Sequence, residues 1–245
     1  MKRFPRAEKT ILFCLLVILG FGAAQAIVVA LVMILRLFGI SFSDVNENVL
    51  SSVVSVIVYA LTLAIVIGLP WLVRNYQTTK EDIGLTRLLS WTDIGFAPAG
   101  FVIYLIGSAI LSYVASSIFP SLDLNQAQET GFGNIAHYYE YFLAFLTLVV
   151  LAPVAEEVLF RGYLYGKLRK LLPVWLAVLI TSALFGAAHG QWNVGLDVFV
   201  LSIVLCSLRE VTGNIWAGIL LHMIKNGLAF YLLFINPTFL HTIGG

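Results

Sequence analysis

The chain has 245 residues, 60% hydrophobic and 11% charged, with a formal net charge of +1. Soluble domains are about half apolar and a quarter charged. The balance leaves no basic footprint for nucleic acid, and it excludes an ordinary soluble domain, because the uncharged runs 11–35, 49–73 and 94–122 exceed the ~20 residues that cross a bilayer. These runs do not alternate as barrel strands do, so the expected fold is all-α, a polytopic transmembrane helix bundle forming one integral membrane domain over 1–245.

Seven spans are expected, within bounds of six to eight: 11–36, 49–73, 93–119, 141–165, 173–190, 196–208 and 213–235. "MKRFPRAEK" followed by an apolar run resembles a signal peptide, with "AQA" at 24–26 as a cleavage site. The run continues uncharged to Leu35, beyond the ~7–15 residues of a signal h-region, and is read as an uncleaved first helix. The sixth span is short and led by Gly195 and Asp197, which suggests a partial or tilted element, and the last span has room to be broken in two. The loop 75–95 suits a short interfacial helix with Trp91 at headgroup level. Cys14 and Cys206 both lie in apolar runs and read as packing residues rather than a disulfide.

Lys and Arg set the expected orientation. Lys2, Arg3, Arg6 and Lys9 precede the first span, Arg74, Lys80 and Arg87 follow the second, Lys167, Arg169 and Lys170 follow the fourth, and Arg209 follows the sixth. Loops 39–48, 120–140 and 191–196 carry none. The alternation puts the N-terminus in the cytoplasm.

Few ionisable residues remain inside spans: Glu156, Glu157, Arg161, His189, His222, Lys225 and Asp197. Such residues face a bundle interior or a watery cavity. In a helix Glu157 and Arg161 are four apart on one face and can pair, while Glu156 points about 100° away and needs another partner. At about 1.5 Å per residue, Glu156 and His222 lie roughly 13 Å deep, Asn226 roughly 20 Å and His189 roughly 21 Å, which brackets the middle of a ~30 Å core. A carboxylate and a neutral imidazole on one cavity can share and deprotonate a water. A second His with an Asn amide on the same helix face supplies donors for a developing oxyanion. Lys225 turns away from Asn226, and Asp197 is its candidate partner.

"EEVLFR" (Glu156, Glu157, Arg161), "FGAAH" (Phe185, His189) and "HMIKN" (His222, Asn226) resemble the three motifs EExxxR, FxxxH and HxxxN of the CAAX protease and bacteriocin-processing family of intramembrane endopeptidases. The resemblance covers approximately 141–230. It implies that Glu156 activates water with His189, that His222 and Asn226 form the oxyanion site, and that Glu157, Arg161 and Phe185 support the geometry. It further implies a metal-independent glutamate endopeptidase with no cofactor, integral to a prokaryotic cell membrane, whose substrate is a membrane-associated peptide or protein.

Other readings compete. Two His and a Glu could instead coordinate zinc. The charged doublet with Arg161 could be an ion-pair network fixing helix packing, His189 a core histidine bonded to a carbonyl, and His222 and Asn226 interhelical hydrogen bonds worth about 1 kcal/mol. A membrane scaffold, a bacteriocin-immunity factor or a transporter would use the same buried polar cluster without proteolysis.

Overall fold

The computed structural model describes residues 5–74, 77–121, 123, 124, 126 and 128–238. Lys2 and Arg3, part of the orientation signal, lie outside them. Among the described residues eight helices follow in chain order: α1 Arg6–Leu37, α2 Glu47–Leu72, α3 Lys80–Ile83, α4 Trp91–Ile118, α5 Tyr138–Leu168, α6 Val174–Ala187, α7 Trp192–Thr212 and α8 Trp216–Ile235. The fold is an all-helical polytopic bundle. Among the described residues five helices (α1, α2, α4, α5 and α8) are long and apolar enough to cross a membrane. Their outward faces are apolar, as Leu19 and Met33 of α1 and Ile103 and Ile110 of α4 show by their exposure.

The sequence made the sixth span the short one, and the structure makes it the fifth. α7 runs 21 residues through Gly195 and Asp197, whereas α6 has 14. Asp197 does not break α7 because it is satisfied from other helices: Tyr104 Oη and Ser108 Oγ of α4 donate to Oδ1 at 2.7 and 2.6 Å, and Lys225 Nζ of α8 lies 3.5 Å from Oδ2. Gly195 marks a close crossing instead. A Cβ on Gly186 of α6 would stand 2.7 Å from Gly195 O, and one on Gly195 3.0 Å from Gly186 O, the small-residue contact that lets two helix backbones touch. The last span is unbroken from Trp216 to Ile235.

α2 and α5 each contain a π-helical turn immediately upstream of a proline. The turns are Ala64–Gly68 before Pro70 and Leu146–Leu151 before Pro153. Proline has no N–H and its ring clashes with the carbonyl four residues back. Inside a bundle a local widening to i→i+5 bonding accommodates it. Accordingly Leu69 N–H bonds to Ala64 O, and Ala152 N–H to Thr147 O. A second π-helical stretch, Glu157–Tyr165, follows in α5.

The two ends of the bundle are built differently. At the Lys- and Arg-bearing end, α3 packs against α5. A Cβ on Gly162 or Gly166 would stand 2.7 Å from Ile83 Cγ2 or 2.4 Å from Asp82 O, and Asp82 takes ion pairs from Lys167 at 2.8 Å and from Lys170. Arg87 pairs with Asp93, and Ile215 N–H reaches Gly84 O at 3.1 Å. At the other end Glu140 holds the entry of α5: it accepts from Ala136 N–H at 2.6 Å, from His137 N–H at 3.0 Å and from the Asn46 amide. α6, only about 21 Å long, turns into α7 through residues 188–191. The loop after α4 covers that turn, with Asn193 Nδ2 donating to Gln126 O at 2.7 Å and Glu129 N–H to Gln191 Oε1 at 3.0 Å.

Candidate active site

The glutamate doublet of α5 divides as the helix geometry requires. Glu157 is fully buried, and its Oε1 accepts from Arg161 Nη1 at 2.9 Å and lies 3.0 Å from His222 Nδ1. Gly218 of α8 makes room for this carboxylate, since a Cβ there would stand 3.0 Å from Glu157 Oε2. Glu156 points elsewhere. Its side chain is 15% exposed, Tyr59 Oη donates to Oε1 at 2.5 Å, and His222 Nε2 faces Oε2 at 3.7 Å. That last separation exceeds a hydrogen bond, so Oε2 keeps its lone pairs for another donor.

His222 therefore stands between the two carboxylates with its tautomer set by the partners. A carboxylate held against Arg161 accepts, so Nδ1 carries the hydrogen toward Glu157 and Nε2 is turned to Glu156. His189 is fixed by the same logic. Its Nδ1 lies 2.8 Å from Phe185 O, a carbonyl that can only accept, so Nδ1 is the donor and Nε2 remains the acceptor of the neutral ring. Phe185 does more than pack. Its ring carries the Arg161 guanidinium at 4.1 Å and meets the rings of His189 and His222 edge-on at 4.9 and 5.9 Å. A buried cation over a ring face is worth up to about 2 kcal/mol.

In front of Glu156 and His189 lies a cavity of about 300 Å³. Both side chains line it with Tyr59, and the remaining wall is apolar, from Val17, Ile18 and Phe21 of α1 to Leu159, Phe160 and Leu184. Three of the four residues singled out for chemistry are thus brought together: Glu156 and His189 on one cavity, and His222 against Glu156.

Asn226 is differently engaged, with its amide Nδ2 donating to Leu148 O at 2.9 Å. The reason lies in Pro153. In the π-helical register Leu148 O would accept from residue 153, which has no N–H, and Ala152 N–H is already committed to Thr147 O. Asn226 supplies the missing donor from α8. An amide has two N–H groups, so one remains.

Tyr59 is the residue that sequence reasoning missed. Its signal was a phenol in an otherwise apolar run, a hydroxyl that needs a partner once buried. Among the described residues no group of three or more His, Cys, Asp or Glu side chains is arranged to hold a metal ion.

Residues 138–228 match the family described as Type II CAAX prenyl endopeptidase Rce1-like. The chain is 38% identical over 86 residues to an "Uncharacterized 24.3 kDa protein" of Escherichia coli, covering 33% of this chain and 40% of that protein. It is 26% identical over 153 residues to the "Putative membrane peptidase YdiL" of Bacillus subtilis (strain 168), covering 62% of this chain and 58% of that one. It is also 26% identical over 168 residues to the "UPF0177 protein YbdI" of Lactococcus lactis subsp. lactis (strain IL1403), covering 68% and 87%. The chain thus spans about half the length of the first two relatives, at 40% and 58%. No solved structure gives a match. EExxxR, FxxxH and HxxxN stand in order inside residues 138–228, the segment that is similar to the Rce1-like type II CAAX prenyl endopeptidases.

Proposed function

We propose that this protein is an intramembrane endopeptidase that hydrolyses a peptide bond of a membrane-associated peptide or protein with a water activated by Glu156 and His189, without a catalytic metal or cofactor. The observation that carries the reading is the shared cavity: a carboxylate oxygen with lone pairs to spare and an imidazole whose Nε2 is its acceptor line one chamber inside the bundle. Two acceptors can hold both hydrogens of one water and leave its oxygen lone pair to attack.

The water oxygen bonds to the scissile carbonyl carbon, the C=O π pair moves to oxygen, and Glu156 takes the proton. Collapse of the tetrahedral species breaks the C–N bond as Glu156 returns that proton to the departing amine, giving a carboxylic acid and an amine. Donors for the oxyanion are at hand in the second N–H of Asn226 and in His222 once its Nε2 carries a hydrogen, while the Tyr59 hydroxyl is committed to Glu156 Oε1. Glu157 and Arg161 hold His222, and Phe185 holds His189. The Lys- and Arg-bearing end faces the cytoplasm in this reading, and the protein resides in a prokaryotic cell membrane.

The test is hydrolysis by detergent-purified protein of a broad peptide library. Wild type cleaves, and Glu156→Gln loses the ~10²–10⁴-fold that a general base contributes. Equal products from both proteins, or activity that disappears with chelator and returns with zinc, contradict the reading.

A further inference from the structure

The chamber before Glu156 and His189 is larger than its chemistry needs. A liquid water occupies about 30 Å³, so the cavity's about 300 Å³ has room for roughly ten, yet most of its wall offers them no hydrogen bonds. Val17, Ile18 and Phe21 form one side from α1, facing Leu159 and Phe160 of α5 and Leu184 of α6. The polar groups are confined to the margin where Tyr59, Glu156 and His189 stand. A volume at the low end of the ~300–1,000 Å³ of ligand pockets is too small for a folded segment and suits a single large side chain. Ile18, 47% exposed, and the exposed Ala187 and Ala188 bound the chamber from α1 and the end of α6, so it opens sideways on the outer surface of the bundle.

We infer that this chamber is a specificity subsite that receives one bulky apolar side chain flanking the scissile bond, and that α1 sets its size. The inference rests on the endopeptidase reading for its chemistry. A peptide carbonyl presented to Glu156 and His189 has its neighbouring side chain within reach of the apolar wall. Since lipid tails are as apolar as leucine, a membrane substrate gains little by leaving lipid. Selection comes from filling the void, where each missing contact forfeits dispersion. The wall from α1 lies outside the segment 138–228 that carries the motifs, so size selection and catalysis reside on different parts of the chain.

The probe is a set of quenched fluorogenic octapeptides carrying Ala, Leu, Phe or Trp on either side of the central bond. Ratios of kcat/KM within each protein are compared, so that a general loss of activity cancels. Wild type favours Leu and Phe over Ala by at least ~10-fold, the scale of pocket discrimination between apolar side chains. Ile18→Trp lowers the Phe:Ala ratio, and Phe21→Ala raises the Trp:Leu ratio. The same ratios are read from binding of the peptides to Glu156→Gln protein carrying each substitution, by fluorescence anisotropy. Unchanged ratios in both variants overturn the subsite. Ratios that shift in binding while wild type cleaves no peptide overturn the endopeptidase reading and leave the subsite standing.

Discussion

Asn226 offers the most specific prediction, because its partner follows from a proline 73 positions earlier in the chain. Its Nδ2 donates to Leu148 O at 2.9 Å, and that carbonyl lacks a helix donor because residue 153 is proline. Asn226→Ala leaves the carbonyl unpaired. Interhelical hydrogen bonds in membranes average about 0.6 kcal/mol with a maximum near 1.7, while a stranded buried polar group costs about 1–3 kcal/mol, so a loss of about 1–2 kcal/mol is expected. At roughly 2–4 °C per kcal/mol for a chain of this size, Tm falls by about 2–8 °C. In a Pro153→Ala background residue 153 regains an N–H, the helix can satisfy Leu148 itself, and Asn226→Ala should cost little. Thermal unfolding of the four proteins in one detergent closes the cycle. Coupling near 1 kcal/mol is expected, and additivity within ~0.3–0.5 kcal/mol refutes the reasoning. The double variant's activity then reads the second N–H: stability restored with turnover still depressed assigns Asn226 to the oxyanion as well.

Tyr59→Phe removes a donor from Glu156 Oε1 without changing the shape of the cavity wall, so kcat should fall about 10-fold or more while Tm moves little. A loss of stability with unchanged kcat refutes a part in the chemistry. Asp82 lies outside the spans: burial pushes its carboxyl up, but hydrogen bonds from Lys167, Lys170 and the Thr79 backbone outweigh burial and hold it at about 2, from an ordinary 3.8. The folded value is the lower one, so this stabilisation is present above pH ~4 and is lost as pH falls through about 2. The Tm gap between wild type and Asp82→Asn should therefore close between pH 5 and pH 2, and a gap independent of pH contradicts the ion-pair account.

The positions of the five helices long and apolar enough to cross a membrane were legible because apolar runs report the bilayer directly, and the pairing of Asp197 with Lys225 followed from both being stranded in apolar helices. The split between Glu156 and Glu157 was legible too, as adjacent helical residues cannot share a face. Relations carried by the backbone were not. Pro70 and Pro153 were visible, yet whether a proline kinks a helix or widens it into a π turn depends on what packs beside it. The donor that Asn226 provides to Leu148 is a consequence of that choice. The Arg161 guanidinium over the Phe185 ring likewise arises only once α6 is docked, which gives the Phe of FxxxH a task that spacing did not reveal, whereas His189 Nδ1 on Phe185 O is a local bond of the kind the carbonyl-bonded reading of His189 had described. Tyr59 comes from α2, with no local spacing to link it to α5. The lengths of α6 and α7 were exchanged because Gly195 and Asp197 read as breakers, whereas one serves a helix crossing and the other is satisfied by α4 and α8.

The central claim is that two adjacent carboxylates in one helix divide chemistry from architecture, and kcat with Tm for Glu156→Gln and Glu157→Gln, side by side, tests it most directly. Glu156→Gln should lose at least ~10²-fold in kcat with little change in Tm. Glu157→Gln, which strands the buried Arg161, should cost about 3–5 kcal/mol and roughly 6–20 °C. Two variants that lose stability alike, or a Glu156→Gln protein that still turns over at the wild-type rate, would contradict the account.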